Sequence, residues 1–368
     1  MTAPLDFARL MGDRVRLARQ EADLSQETLS TQLGFNDRQT LSAIESGKRA
    51  VSAEELVLLA RVLKQPLDYF TDPYLLVEKG EFSYRTTSKS EELDKFEATA
   101  RRLLSANHRF RLMLDEPPSP VVGQLRNITS QATPNHANVM GNQLAKAWVL
   151  GDKPAENLGA MLESKLHVMV LYVDAPEGIS GAACRLTEGD AVLINRNEPA
   201  YRQNWTLAHE TFHLLTWGIM PPDKIDREMK DTEKSKTEKL ADAFTAGLLM
   251  PPEATRNAWM ATSGEIHQRI LKCAEKFQVS GQAMFYRLKT IGELAPEQVE
   301  KVELTKLARQ KTGDATRPRY SREFVRRLHA VLAKGLVTVR LVGELLELEP
   351  DELKPLFKEH GLGVPFDL

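Results

Sequence analysis

The 368-residue sequence has little cysteine, no long apolar run and no excess of basic charge. Its two cysteines, Cys184 and Cys273, lie far apart and form no CxxC pair. That excludes a disulfide scaffold or a cysteine-rich zinc finger and favours a reducing compartment. The longest apolar segment, around 168–173, is too short to span a bilayer, and the N-terminus lacks the apolar core of a signal peptide. We therefore expect a soluble cytoplasmic protein with no membrane partner.

The overall charge also limits the possible partners. The formal net charge is -2 at pH 7, so no chain-wide positive field favours nucleic acid and any DNA-binding surface must be local. The length exceeds that of a single compact domain, which predicts two or three domains. The sequence contains no internal repeat and no glycine-rich phosphate loop.

The first 70 residues carry the helical pattern of a helix-turn-helix domain. An amphipathic stretch ends at Gly34, and a second short helix is expected to start near Asn36 or Asp37 and to end at Gly47. Two short helices joined by a glycine-bearing turn are typical of this motif. The stretch LSQETLSTQLGFNDRQTLSAIESGKRAVS resembles the XRE, or phage-repressor-like, DNA-binding family, and the similarity covers about residues 9–70.

The resemblance implies that the second helix enters a major groove of double-stranded DNA. Near its N-terminal end, Arg38 would read guanine and Gln39 adenine, with Thr40 beside them. Three further side chains would lie closer to phosphates: Gln26, Lys48 and Arg49. Because one module reads few base pairs, we expect a homodimer on a two-fold operator. Acidic residues in the same helices keep an alternative open, a helical bundle used for dimerisation or protein recognition.

The stretch AHETFHLL, at 208–215, carries a pattern with metal-binding chemistry. On a helix, residues four apart lie on one face, so His209 and His213 can present ring nitrogens to one ion. Glu210 would then lie beside the ion and accept a proton from its water rather than bind the metal. Taken alone, the same pattern also fits ordinary helical packing.

A catalytic zinc needs a third protein ligand and keeps one position for water. The downstream stretch EKLADAFTAGLLMP places Glu238 and Asp242 four apart on a second predicted helix. Glu238 could complete the site. Asp242, one turn later, could accept the free N–H of a ligating histidine and so select its tautomer.

These stretches together resemble the ImmA/IrrE family of zinc metallopeptidases. The resemblance rests on RQNWTLAHETFHLL, EKLADAFTAGLLMP, the lead-in AKAWVLGDKPAENLGAMLES and the strand AVLINRN. It covers roughly Leu144–Pro252, and the later stretch KFQVSGQAMFYRLKTIG is more weakly similar. The resemblance implies a bound Zn²⁺ whose three ligands are His209, His213 and Glu238. It also implies that Glu210 is the general base and that Asp242 is a supporting carboxylate.

The sequence departs from the family pattern at two positions. Phe212 stands where the family often has glycine, and Trp205 stands where it often has phenylalanine. Neither change removes a ligand, but a bulky Phe212 could narrow substrate access or alter the contact of the helix with the sheet. The oxyanion donor stays open among Tyr201, Arg202 and a histidine outside the motif.

We predict a multidomain, mainly α protein with a small α+β zincin-like core. Three strands are expected near 168–173, 182–186 and 191–194. A helix-turn-helix domain is expected at 1–72, followed by a helical connecting region at 73–137. The zinc metallopeptidase core is expected at 138–255, with a helical bundle appended to it at 256–311. A C-terminal helical region is expected at 320–368.

The leading hypothesis is a DNA-binding transcriptional regulator with a zinc-dependent endopeptidase domain. The family resemblance implies that its substrate is a repressor or another regulatory protein, cleaved in a bacterial stress or phage response. Two alternatives stay open: a non-proteolytic XRE transcription factor with a structural or vestigial metal site, and an antitoxin-like binding protein. An intact Glu210 favours the enzyme, because a purely structural site has no need of a base.

Overall fold

The computed structural model describes residues 7–72, 81–83, 91–116, 125, 128–129, 131–175, 178–186, 189–221, 236–308 and 317–365. Most of these residues are helical, and a small sheet lies among the helices. The connecting region expected at 73–137 and the stretch 312–319 between the last two expected domains therefore fall partly outside the described residues. Among the described helices, none is long and apolar enough to cross a membrane.

Five short helices form the N-terminal domain. They are α1 Phe7–Glu21, α2 Gln26–Gln32, α3 Arg38–Glu45, α4 Ala53–Val62 and α5 Leu67–Thr71. Side chains at the N-caps define the helix starts: Ser25 accepts a hydrogen bond from the Thr28 amide, and Asp37 accepts one from the Thr40 amide. Gly34 adopts a φ of 73°, which suits glycine, so the polypeptide can turn directly after α2. The second helix of the motif therefore begins at Arg38.

The remaining described helices surround the sheet. In chain order they are α6 Glu91–Met113, α7 Pro134–Ala147, α8 Pro154–Lys165, α9 Ala200–Thr216, α10 Lys236–Leu249, α11 Pro252–Met260, α12 Ile266–Phe277, α13 Gly281–Thr290, α14 Pro296–Glu300, a 3-10 helix Leu304–Leu307, α15 Arg322–Ala333, α16 Val339–Leu346 and α17 Pro350–Glu359.

The sheet has four strands in the order β1-β3-β4-β2. They are β1 Glu81–Phe82, β2 Met169–Val173, β3 Gly181–Leu186 and β4 Gly189–Asn195. The last two form an antiparallel hairpin, β2 pairs parallel with β4, and β1 pairs antiparallel with β3. The three later strands lie where the sequence predicts them. β1 lies in the expected connecting region, where the sequence analysis predicts no strand.

Both faces of the sheet are buried, because successive side chains of a strand point to opposite faces. On one face, Val170 and Val192 join the core that contains α7 to α13. On the other face, Leu171 and Leu193 pack with α6 and with the C-terminal helices α15 to α17. The sheet is thus the shared wall between the helices that carry the histidine motif and the C-terminal region.

The helices α7 and α10 approach each other at backbone distance. A Cβ on Gly141 would lie 2.2 Å from the carbonyl oxygen of Phe244, and a Cβ on Gly247 would lie 2.0 Å from that of Asn138. Side chains at either position would force the helices apart. The two glycines therefore determine how closely α10, which carries Glu238, packs against α7.

A buried arginine ties the end of α10 to its neighbours. Arg287 on α13 donates from Nε to the Met250 carbonyl at 2.7 Å and from Nη1 to Asn138 Oδ1 at 2.9 Å. Asn138 in turn donates to the carbonyl of Ala243, also at 2.9 Å. The bond to Met250 satisfies a carbonyl group just beyond the C-terminal end of α10, and the bond from Asn138 reaches a carbonyl in the middle of that helix.

Candidate metal centre

The candidate centre lies where α9 and α10 pack together. His209 and His213 lie one turn apart on α9, and Glu238 lies in the first turn of α10. Phe212 and Phe244 join the two helices on the core side, with ring centroids 5.4 Å apart. This packing holds the candidate metal ligands of the two helices against each other.

The three donor groups form a nearly equilateral triangle. His209 Nε2 lies 3.2 Å from His213 Nε2 and 3.3 Å from Glu238 Oε2, and His213 Nε2 lies 3.3 Å from Glu238 Oε1. Bonds of 2.0–2.1 Å to a tetrahedral zinc place neighbouring donor atoms about 3.3 Å apart. The three residues are one group of potential metal ligands in the described part of the chain, and their spacing fits zinc.

The charge of the site also favours a cation. Burial disfavours a charged imidazole, but hydrogen bonds to Asp242 and Glu238 outweigh it and raise the pKa of His209 to about 10. Burial would raise the pKa of Glu238, but hydrogen bonds from His209 and His213 hold it far below its usual range. The negative charges of the carboxylates at this site are therefore balanced only when a proton or a metal ion is bound.

Asp242 lies behind one of the imidazoles. Its Oδ1 is 3.4 Å from His209 Nδ1, on the side of the ring opposite the three-donor triangle. This is the arrangement in which a carboxylate holds a ligating histidine in one tautomer. The corresponding Nδ1 of His213 is buried and finds no hydrogen-bond partner among the described residues.

Glu210 is buried and oriented by two donors that the sequence analysis missed. Its Oε2 accepts a hydrogen bond from the Ser83 hydroxyl at 2.5 Å and from the Ala183 amide at 2.9 Å. Only 8% of Glu210 is exposed. No sequence signal predicts either contact, because Ser83 precedes Glu210 by more than a hundred residues and Ala183 contributes a backbone group.

A cavity of about 250 Å³ brings these groups together. One wall is the segment from Gly178 to Gly181 at the edge of β3, and the other is formed by α9 and α10. Ser83 and Glu210 line the same cavity as the three candidate ligands. Of the candidate oxyanion donors, Arg202 lines this cavity. A larger cavity of about 790 Å³, which shares Arg202, contains Tyr201.

The two departures from the family pattern have different surroundings. Phe212 is fully buried in the core and contacts neither cavity. The expectation that Phe212 could narrow substrate access therefore has no counterpart in the structure. Trp205 lines both cavities, so it is the departure that contacts the space around the site.

Cys184 does not join the metal centre. Its side chain is buried on the face of the sheet that packs against α6 and the C-terminal helices. His209 and His213 lie on α9, which packs against the opposite face. The sheet therefore separates this thiol from the candidate ligands.

The first turn of α3 carries half of the side chains expected to contact DNA, those of Arg38, Gln39 and Thr40. Arg38, Gln39 and Lys48 are exposed. Thr40 takes part in the N-cap of the helix, because its amide and its hydroxyl both donate to the Asp37 side chain. Gln39 is thus exposed at the helix end that enters a groove in this motif, and Arg38 is exposed there while it donates to Gln26.

The remaining two expected DNA contacts are held by intramolecular partners. Gln26 donates to Glu45 at 2.7 Å and accepts from Arg38 at 3.2 Å. Arg49 forms a two-bond ion pair with Glu55, at 2.7 and 3.1 Å. Phosphate contacts by these side chains would have to share or replace those bonds.

Comparisons with known proteins agree with this architecture. Residues 15–70 match the helix-turn-helix family model, and residues 163–289 match the model of the IrrE N-terminal-like domain. The second match includes both histidines, Glu210 and Glu238, and extends into the later, more weakly similar stretch as far as residue 289.

Similarity to individual proteins adds little. A comparison with curated protein sequences gives no match. Among solved structures, the apo form of the competence regulator ComR from Streptococcus vestibularis aligns over 97% of this chain and 100% of that chain, at 11% identity and a TM-score of 0.17. A TM-score this low carries no argument about fold or function. By its two family matches, the chain is similar to an XRE-type helix-turn-helix domain over residues 15–70 and to an IrrE-like domain over residues 163–289.

Proposed function

We propose that this chain is a DNA-binding transcriptional regulator whose IrrE-like domain is a zinc-dependent endopeptidase. Its substrate would be a repressor or another regulatory protein, cleaved in a bacterial stress or phage response. The observation that carries the proposal is the triangle of donor atoms from His209, His213 and Glu238, with edges of 3.2–3.3 Å, beside the buried carboxylate of Glu210.

The residues of the site have distinct roles in peptide hydrolysis. Bound zinc would polarise the scissile carbonyl and lower the pKa of a water molecule toward neutrality. Glu210 would take the proton of that water and pass it to the leaving amine. Asp242 would hold His209 in the tautomer that presents Nε2 to the metal. Arg202, which lines the cavity, would donate to the oxygen that gains negative charge.

Metal content tests the proposal directly. We expect elemental mass spectrometry of the purified, zinc-supplied protein to find about one zinc per chain, because a catalytic zinc takes three protein ligands. Glu238→Ala removes one of those ligands and should lose most of the metal. Glu253→Ala, on the exposed face of α11, is a matched control and should keep it. Equal zinc in all three proteins would refute the assigned ligands.

The DNA-binding residues are expected to separate into two classes. Arg38→Ala and Gln39→Ala should each lower the preference for the best operator by about 1–3 kcal/mol, because they remove base-edge contacts. Lys48→Ala should weaken binding to all duplexes and reduce the salt dependence. Fluorescence anisotropy with a selected operator and a scrambled duplex measures both effects. Equal losses on both duplexes for all three variants would contradict this division.

A homodimer would complete the DNA-binding model. A two-fold operator presents two half-sites, and each helix-turn-helix reads one of them. We therefore expect two chains per operator, which the mass of the protein–DNA complex in light scattering would reveal.

A further inference from the structure

We propose that β1 and Ser83 form an internal brake on the candidate active site. They occupy part of the sheet edge along which an extended substrate would pair. Ser83 also forms a hydrogen bond with the proposed general base, Glu210. This inference rests on the proposed peptidase function and concerns how that function is held off.

β1 lies beside β3 at the edge of the sheet that faces the cavity. β3 pairs with β4 along one of its two edges. The other edge of such a strand, when it is open, can accept another extended segment. β1 takes this second edge, with Phe82 opposite Cys184, and the Ser83 amide donates to the Ala183 carbonyl at 2.9 Å. The neighbouring part of the same edge, from Gly178 to Gly181, lines the cavity that contains the metal-binding residues. β1 therefore lies along the edge that a bound peptide would use.

Ser83, directly after β1, contacts the proposed general base Glu210. The Ser83 hydroxyl lies 2.5 Å from Glu210 Oε2 and 2.7 Å from the Ala183 amide. Ser83 also lines the cavity, so its hydroxyl fills space beside the carboxylate oxygen that would otherwise be open to water or substrate. A general base must be within hydrogen-bond reach of the proton it takes. Withdrawal of β1 would free that oxygen on the cavity side.

β1 follows the N-terminal domain closely in the chain. Glu81 follows Thr71, the last residue of α5, by ten positions, so the brake and the DNA-binding domain are joined by a contour of at most about 36 Å. A strand of two residues has few bonds to lose. A movement of the DNA-binding domain could therefore withdraw β1 without unfolding the rest of the sheet.

A disulfide can lock the brake in place. Ser83 and Ala183 are bonded through their backbones, so Phe82 and Cys184 form the adjacent non-hydrogen-bonded pair, with Cα atoms about 4.5 Å apart. This spacing lies within the range of disulfides. The Phe82→Cys variant should therefore link to the native Cys184 when oxidised glutathione accepts the two electrons, and dithiothreitol should reverse the link.

The probe is a peptidyl hydroxamate with a leucine beside its zinc-binding group, measured by calorimetry on the zinc-loaded full chain. We expect oxidised Phe82→Cys to bind it at least about tenfold more weakly than the same variant after reduction, because the lock removes the binding-competent state. The double variant Phe82→Cys with Cys184→Ser should not respond to the oxidant. Equal affinity of the oxidised and reduced forms, with the disulfide confirmed by mass spectrometry, would overturn the brake.

Removing the serine hydroxyl is the complementary test. Ser83→Ala should bind the hydroxamate several-fold more tightly and cleave a quenched fluorescent peptide library faster, because the closed state loses a hydrogen bond to a charged group. Ser164→Ala removes an exposed hydroxyl on α8 and should change neither quantity. Slower cleavage and weaker binding in Ser83→Ala would overturn the brake and make Ser83 a positioning residue for Glu210.

The same measurements distinguish failure of the peptidase proposal from failure of the brake. If the zinc-loaded wild type, Ser83→Ala and reduced Phe82→Cys all fail to bind the hydroxamate and to cleave the library, the active site itself is refuted, and the brake with it. If they bind and cleave but do not respond to the lock or to loss of the hydroxyl, only the brake is refuted.

Discussion

Glu210→Gln is expected to abolish proteolysis while zinc stays bound. Glutamine has nearly the shape of glutamate, and its side-chain carbonyl can still accept the bond from the Ala183 amide. It cannot take a proton from water at neutral pH, so the hydrolytic step should slow by about 10²–10⁴-fold. The carboxylate of Glu210 is not one of the three candidate metal ligands, so the zinc content of the variant should match that of the wild type.

Cleavage of a quenched fluorescent peptide library and elemental mass spectrometry measure the two effects on the same sample. Glu253→Gln makes the same chemical change on the exposed face of α11 and should leave both quantities unchanged. Proteolysis at the wild-type rate by Glu210→Gln would exclude the proposed general base. Loss of zinc from this variant would instead indicate that Glu210 is a ligand.

His213→Ala is expected to lose both zinc and proteolysis. The imidazole is 3% exposed and supplies one corner of the donor triangle, so its removal leaves two ligands, fewer than the three protein ligands of a catalytic zinc. Unlike Glu210→Gln, it should therefore remove the metal as well as the reaction. The loss of a buried side chain also leaves a cavity beside Phe212, so the melting temperature should fall.

Because unfolding would also release metal, the fold must be checked separately. Circular dichroism should show wild-type helicity for His213→Ala at a temperature below its melting transition. His136→Ala, an exposed histidine in the first turn of α7, is the matched control and should retain zinc and cleavage. A folded His213→Ala protein that keeps one zinc per chain would disprove the three-ligand site.

The sequence identified the candidate metal ligands because their spacing is local. A separation of four residues on a helix places His209 above His213 whatever the rest of the fold does. The same rule relates Glu238 to Asp242 on the second helix. The sequence could pair the two helices only through the family resemblance, since periodicity carries no information about which helices touch. The close approach of α7 and α10 at Gly141 and Gly247 is likewise a property of the fold.

The secondary structure was predictable in proportion to the strength of its local signals. The strands β2 to β4 are rich in buried aliphatic residues, and the caps at Ser25 and Asp37 mark helix starts through their own side chains. β1 has two residues and no repeating pattern, so nothing in its composition predicts a strand. Its pairing with β3 arises because an open sheet edge is available there.

The sequence by itself determined the mainly α class, the helix-turn-helix motif and which side chains share a helix face with His209. These features depend on contacts between residues a few positions apart. Only the tertiary structure decided the 3.2–3.3 Å donor triangle, the burial of the C-terminal helices on the far face of the sheet and the contact of Ser83 with Glu210. Those features join segments separated by 25 to more than 100 positions, and such distant contacts are selected by the packing of the whole chain rather than by local propensity.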